Sequence, residues 1–164
     1  MKRSISIFIS VLLTGCLASL SAQNNTLKSG IDSVNAILKA NPYYDGFNEI
    51  AFFYSVDITA EKELVVEMNF DGPFRWVYKA DIEKLDLSPK KDPCRESPSS
   101  ICFTCKTSGN TVSCVNAQMI LSDGGKQTEN SSNICISFSA RGNVCGELNK
   151  MVYRLLEKSL TENR

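Results

Sequence analysis

The most reactive side chains in this sequence are its seven cysteines, at positions 16, 94, 102, 105, 114, 135 and 145. Cys102-Phe103-Thr104-Cys105 has the C-x-x-C spacing of a disulfide oxidoreductase. That chemistry needs the first thiol at a helix N-terminus, where the positive end of the dipole lowers its pKa. Here the flanking residues alternate as in a strand, and residues three apart on a strand point to opposite faces. Their α-carbons would stand ~10 Å apart at ~3.3 Å per residue, beyond the ~7 Å that a disulfide tolerates. Structural bridges to other cysteines are therefore expected, and a thiol–disulfide redox protein using Cys102 and Cys105 is the alternative. Zinc needs four ligands, and there is no second C-x-x-C to complete a site.

The chain has no histidine, which excludes Ser-His-Asp and Cys-His nucleophile pairs and the commonest zinc ligand. Serine–lysine and carboxylate chemistry leave no local signature. Glu63, Glu67 and Asp71 share strand parity, as a weak cation site would require, but a solvated strand face accounts for them. Gly124-Gly125-Lys126 lacks the earlier glycine of a phosphate loop and reads as a loop tip. Lys90-Lys91 with Arg95 lie in a proline-rich loop and could contact an anion. No catalytic residue, cofactor or metal ligand is assigned on these grounds.

The N-terminus carries a processing signal. Lys2 and Arg3 precede an uncharged stretch containing Ile5, Ile7, Phe8, Ile9, Val11, Leu12 and Leu13, which ends at Ser21-Ala22. This pattern predicts a signal peptide over residues 1–22, cleaved after Ala22. Six interspersed serines and threonines argue against a retained span, which needs about 20 apolar residues. Leu13-Thr14-Gly15-Cys16 resembles a bacterial lipobox, so a lipid anchor on Cys16 is the alternative route. Cleavage after Ala22 leaves 16 basic and 18 acidic residues, because Lys2 and Arg3 depart. A net charge of about −2 gives no electrostatic footprint for nucleic acid. Six cysteines remain, an even number that points to disulfides in an exported chain.

The elements that must position these residues follow from periodicity. Leu27, Ile31, Val34, Ile37 and Leu38 lie on one face of a helix over residues 26–40, ended by Asn41-Pro42. Alternation predicts strands over 49–59 and 63–70, then a long one from 74 toward 87 that has room for two. On this third segment Phe74, Trp76 and Tyr78 are expected to face inward. Pro89, Pro93 and Pro98 mark a loop, and strands resume at 101–107 and 111–121. Residues 122–132 read as a polar loop, 133–139 as a strand, and Val144, Leu148, Met151, Val152, Leu155 and Leu156 as a helix over 143–159.

One disulfide can be argued from a turn. If Gly109-Asn110 is a two-residue hairpin turn, Ser108 faces Thr111 and the register brings Cys105 opposite Cys114. Counting outward makes that a non-hydrogen-bonded pair, with α-carbons about 4.5 Å apart, within disulfide range. Cys94, Cys102, Cys135 and Cys145 have no partner fixed by the sequence.

The order of elements in residues 49–159 resembles a pleckstrin-homology-like barrel, a bent antiparallel sheet closed by a C-terminal helix. The ending Asn133-Ile134-Cys135-Ile136-Ser137-Phe138, followed by the Val144–Leu156 helix, is similar to exported bacterial proteins of uncharacterised function with that architecture. Six strands are visible where that fold has seven, and an open antiparallel sheet is the alternative. The expected class is α+β: a signal peptide at 1–22, an N-terminal helical segment at 23–48, and a β domain with its C-terminal helix at 49–160. Phosphoinositide binding, which the fold name suggests, finds no cationic cluster at Thr59-Ala60-Glu61-Lys62. The expected function is a non-enzymatic binding module of the periplasm or cell surface, using a sheet edge or helix groove. Its partner would be an envelope protein or a small ligand.

Overall fold

The computed structural model describes residues 26–47, 49–88, 92–95, 98–106 and 113–161. The expected signal peptide, Cys16, Lys90-Lys91 and the expected Gly109-Asn110 turn lie outside the described residues.

Helix α1 spans residues 26–40 and buries Ile31, Val34 and Leu38. It stops where the pattern ends. Asn41 donates its backbone N–H to the Leu38 carbonyl and its side-chain amide to the Ile37 carbonyl, meeting two acceptors left open at the helix end. Among the described residues nine strands follow, namely β1 Tyr43–Asp45, β2 Ile50–Ile58, β3 Glu63–Phe70, β4 Phe74–Asp81, β5 Leu85–Asp86, β6 Ser99–Cys105, β7 Val115–Leu121, β8 Lys126–Ser131 and β9 Asn133–Phe138. Helix α2, Gly142–Thr161, closes the chain and buries Cys145, Leu148, Val152, Leu155 and Leu156. Gly30 lets the helices approach closely, since a β-carbon there would lie 2.5 Å from Leu155 Cδ2.

The strands form two antiparallel sheets, one of six strands in the order β1-β2-β3-β4-β7-β8 and one of three in the order β5-β6-β9. Neither closes on itself, so the open α+β arrangement holds in place of a barrel. The chain crosses between the sheets at one corner. Asp81 caps a 3-10 turn at Ile82–Lys84 by accepting from the Glu83 N–H at 3.0 Å, which redirects the chain from β4 into β5. Ser132 alone separates β8 from β9, and its carbonyl accepts from the Cys105 N–H. The third crossing joins β6 to β7. The strands at 101–107 and 111–121 are therefore not a hairpin: β6 pairs with β5 and β9, whereas β7 pairs with β4 and β8.

The inner face of the six-stranded sheet grades from buried to open. At one end Ile58, Leu64, Ala80 and Val115 align across β2, β3, β4 and β7, and the last three are buried. Val56, Val66, Tyr78 and Ala117 form the next row. Further out, Tyr54, Met68, Trp76 and Met119 are half-buried, as are Phe52, Phe70, Phe74 and Leu121 in the outermost row. Phe74, Trp76 and Tyr78 do share the apolar face, but all three are half-buried, and of them Tyr78 packs against the core. Further out, rings cover one another: Tyr43–Phe52 centroids are 5.7 Å apart, Phe52–Phe70 5.4 Å and Phe70–Phe74 4.7 Å. Phe103, Phe138, Ile82, Leu85, Ile134 and Ile136 of the three-stranded sheet and its corner are fully buried, together with Leu38 of α1, Leu64 of β3 and Leu148 and Leu156 of α2.

Two strands are absent from the expectation. β8 reads Lys-Gln-Thr-Glu-Asn-Ser, with five of its six residues exposed, so it has no apolar alternation to detect. As an edge strand it needs none, and polar side chains protect such an edge from pairing with another chain. β1 has only three residues and falls inside the segment expected to be helical.

Candidate functional site

A cavity of about 730 Å³ lies between α1 and the free edge of β2. Strand β1 pairs with β2 only over Ile50 to Phe52, leaving the edge beyond without a strand partner among the described residues. Helix α1 lies beside that length. Asn35 occupies the edge at Val56, donating from Nδ2 to the Val56 carbonyl at 2.9 Å and accepting the Val56 N–H on Oδ1 at 2.8 Å. A side-chain amide presents one donor and one acceptor, as a neighbouring strand residue would. It both anchors the helix and closes that point of the edge.

The groove has two walls. On the helix, Leu27 and Ile31 supply apolar surface beneath Lys28 and Asp32, which are exposed and one turn apart. On the sheet, the cross-strand pairs Ser55–Glu67 and Asp57–Val65 form the opposite wall, with Ile58, Thr59 and Ala60 at the end. Glu67 is neutralised by Arg75, whose Nη1 lies 3.3 Å from Oε2, and Asp57 Oδ1 accepts the Ile58 N–H at 2.8 Å. The lining thus combines an apolar floor with a rim of Lys28, Asp32, Ser55, Asp57 and Thr59. It can hold an amphipathic ligand, and it holds no constellation of nucleophile, base and oxyanion donor. Among the described residues, no group of three or more His, Cys, Asp or Glu side chains could hold a metal ion.

The cysteines make three bridges. Cys94–Cys145 has Sγ atoms 2.05 Å apart, Cys102–Cys135 2.14 Å and Cys105–Cys114 2.07 Å. Cys102 and Cys135 are directly opposite on β6 and β9. Cys105 and Cys114 do not face each other across a ladder; they meet at the corner between the sheets, with α-carbons 5.7 Å apart, and the Cys114 N–H donates to Cys105 Sγ. The C-x-x-C pair is thus divided between two bridges on opposite faces of β6, which removes the geometry of a Cys102/Cys105 redox couple. Three disulfides in one chain fit an oxidising compartment. Among the described residues, no helix is long and apolar enough to cross a membrane.

The other candidate residues are dispersed. Glu67 is committed to Arg75, and Arg95 Nε lies 3.5 Å from Asp92. Gly124, at φ +87°, belongs to the β7–β8 turn, where the Gly125 N–H donates to Asp123; a loop tip is what the structure has there. Burial raises the pKa values of Tyr54 and Tyr153, and it pushes Tyr78 up to about 12, with Tyr54 and Glu129 adding to the effect. All three phenols are thus neutral packing groups at ordinary pH. The groove itself escaped the sequence because its walls are remote in the chain. One signal was available: Asn35 is a polar residue set among Ile31, Val34 and Leu38 on the apolar face of α1.

No protein-family model matches the chain, and neither a curated protein nor a solved structure matches it.

Proposed function

We propose that the mature chain is an exported, non-enzymatic binding domain and that the groove between α1 and β2 is its ligand site. The observation that carries this reading is the cavity of about 730 Å³ against an unpaired strand edge, since ligand pockets fall mostly in the range of about 300–1,000 Å³. An apolar floor with a few polar groups at the rim suits a short amphipathic ligand, bound by burial and oriented by Lys28, Asp32 and Asp57. Export is supported by the N-terminal pattern ending at Ala22 and by six cysteines in three bridges. Intact mass of secreted material should begin at Gln23 without lipid; acyl chains on Cys16 would move the protein to a membrane surface without changing its fold.

The ligand reading is tested by native mass spectrometry of the chain after exposure to an extract of its own envelope. A bound mass is expected on the wild type and not on Ser55→Trp, which fills the groove from its half-buried sheet wall. Equal occupancy of both proteins, or none on either, would overturn the assignment.

A further inference from the structure

The three bridges differ in what an incoming thiol would meet. Of the six bridged cysteines, Cys102 alone is exposed. Its partner Cys135 is half-buried on the same polar face of the three-stranded sheet, flanked by Ser100, Thr104, Asn133 and Ser137. Each other bridge has a buried end, Cys145 at 0% exposure and Cys105 at 7%, both within the apolar core. Exchange requires access to one sulfur and release of the other as a thiolate. Attack on half-buried Cys94 would release the Cys145 thiolate into apolar surroundings, which disfavour its charge and make it a poor leaving group. At the remaining bridge the sulfur open to attack, Cys114, is itself half-buried, with Cys105 almost fully enclosed behind it. Only at Cys102–Cys135 is the attacked sulfur open and the leaving sulfur in polar surroundings.

The bridge is not all that joins these two strands. β6 and β9 are paired in six register positions, from Ser99–Phe138 to Thr104–Asn133. Their other face is buried through Ile101, Phe103, Ile134, Ile136 and Phe138.

We propose that Cys102–Cys135 is a site of thiol–disulfide exchange, opened by an external dithiol while the fold and the other two bridges stay intact. The incoming thiolate attacks Cys102 Sγ and forms a mixed disulfide. The original S–S bond breaks, its electron pair leaves on Cys135 Sγ, and that thiolate takes a proton from solvent. The second thiolate of the reagent then attacks its own sulfur in the mixed disulfide and releases Cys102. The chain gains two electrons and two protons, and the dithiol becomes a disulfide.

The test is a titration of the oxidised, folded protein with dithiothreitol, quenched by alkylation and read by peptide mapping alongside circular dichroism. Cys102 and Cys135 should become alkylated at a reductant concentration about ten-fold below that needed for the other four, with the spectrum unchanged. In a parallel arm with glutathione, the mixed disulfide should be found on Cys102. Opening of either other bridge first or together with this one, or loss of the spectrum as it opens, would overturn the proposal. So would glutathione on Cys135 alone. The double variant C102S/C135S should fold and lack the early phase; a variant that fails to fold contradicts the claim that the ladder holds without the bridge.

Discussion

The two sheets are assembled in different ways. In the six-stranded sheet most neighbours are consecutive in the chain, β1 to β4 and then β7 to β8, so short turns bring them together. The three-stranded sheet joins β5, β6 and β9, and between β6 and β9 the chain leaves to build two strands of the other sheet. Every bridge has an end in this smaller unit or in the segment leading to it. Cys102–Cys135 lies inside it, Cys105–Cys114 fastens its corner, and Cys94–Cys145 ties the approach to β6 onto α2. Closing a long loop costs more chain entropy than closing a turn. The covalent staples stand where the pairing is least local.

That contrast is open to attack by mutation. The largest loss is expected for C94S/C145S, whose bridge spans a sequence separation of 51. Chain-entropy arguments place such a closure at about 4 kcal/mol, and urea melts of the double variant should show a loss of that size. A loss under about 1 kcal/mol would mean that the bridge merely decorates a unit already fixed by packing. Next comes a pair of aromatic truncations. Phe103→Ala, in the fully buried core of the smaller sheet, should cost about 3–5 kcal/mol. Trp76→Ala, half-buried in an open row of the larger sheet, should cost about 1–2 kcal/mol, less than full burial would give. Equal costs would show that the open rows are as well packed as the core.

Asn35→Ala removes both hydrogen bonds to Val56 and should cost about 1–3 kcal/mol. Hydrogen exchange at the Val56 amide should quicken while the β3–β4 ladder stays protected. The smallest effect concerns pH. Tyr78, with Tyr54 and Tyr153, is held above the ordinary phenol range by burial. Below pH ~10 the phenols are neutral in both states and contribute no slope. As pH rises past 10 toward 12 the unfolded chain ionises first, so stability falls. Tyr78→Phe should flatten that alkaline decline in melts followed by circular dichroism, and an unchanged slope would assign it to other groups.

Much of this organisation was legible in the sequence. The face from Leu27 to Leu38, the alternation in 50–58 and 63–70, and the run from Ile134 to Phe138 each record burial on one side, and burial leaves a period. β8 leaves none, because an edge strand with two wet faces is polar throughout. Sheet membership was equally hidden. Nothing local says that residues 99–105 pair with 133–138 instead of with 115–121, and the turn-based register for Cys105 and Cys114 assumed the wrong neighbour. Their sulfurs meet because the chain turns a corner between sheets at that point. The groove depends on the same long-range placement, bringing residues 27–35 against 55–67, and Asn35 was its single local trace.

The ligand assignment to that groove is tested most directly by amide chemical-shift mapping of the folded protein against a library of small amphipathic fragments and short peptides. The account predicts perturbations at Leu27 to Asn35 and Ser55 to Ala60, lost in Ser55→Trp. Perturbations confined to the open aromatic rows around Phe52, Phe70 and Phe74, or persisting in Ser55→Trp, would contradict it.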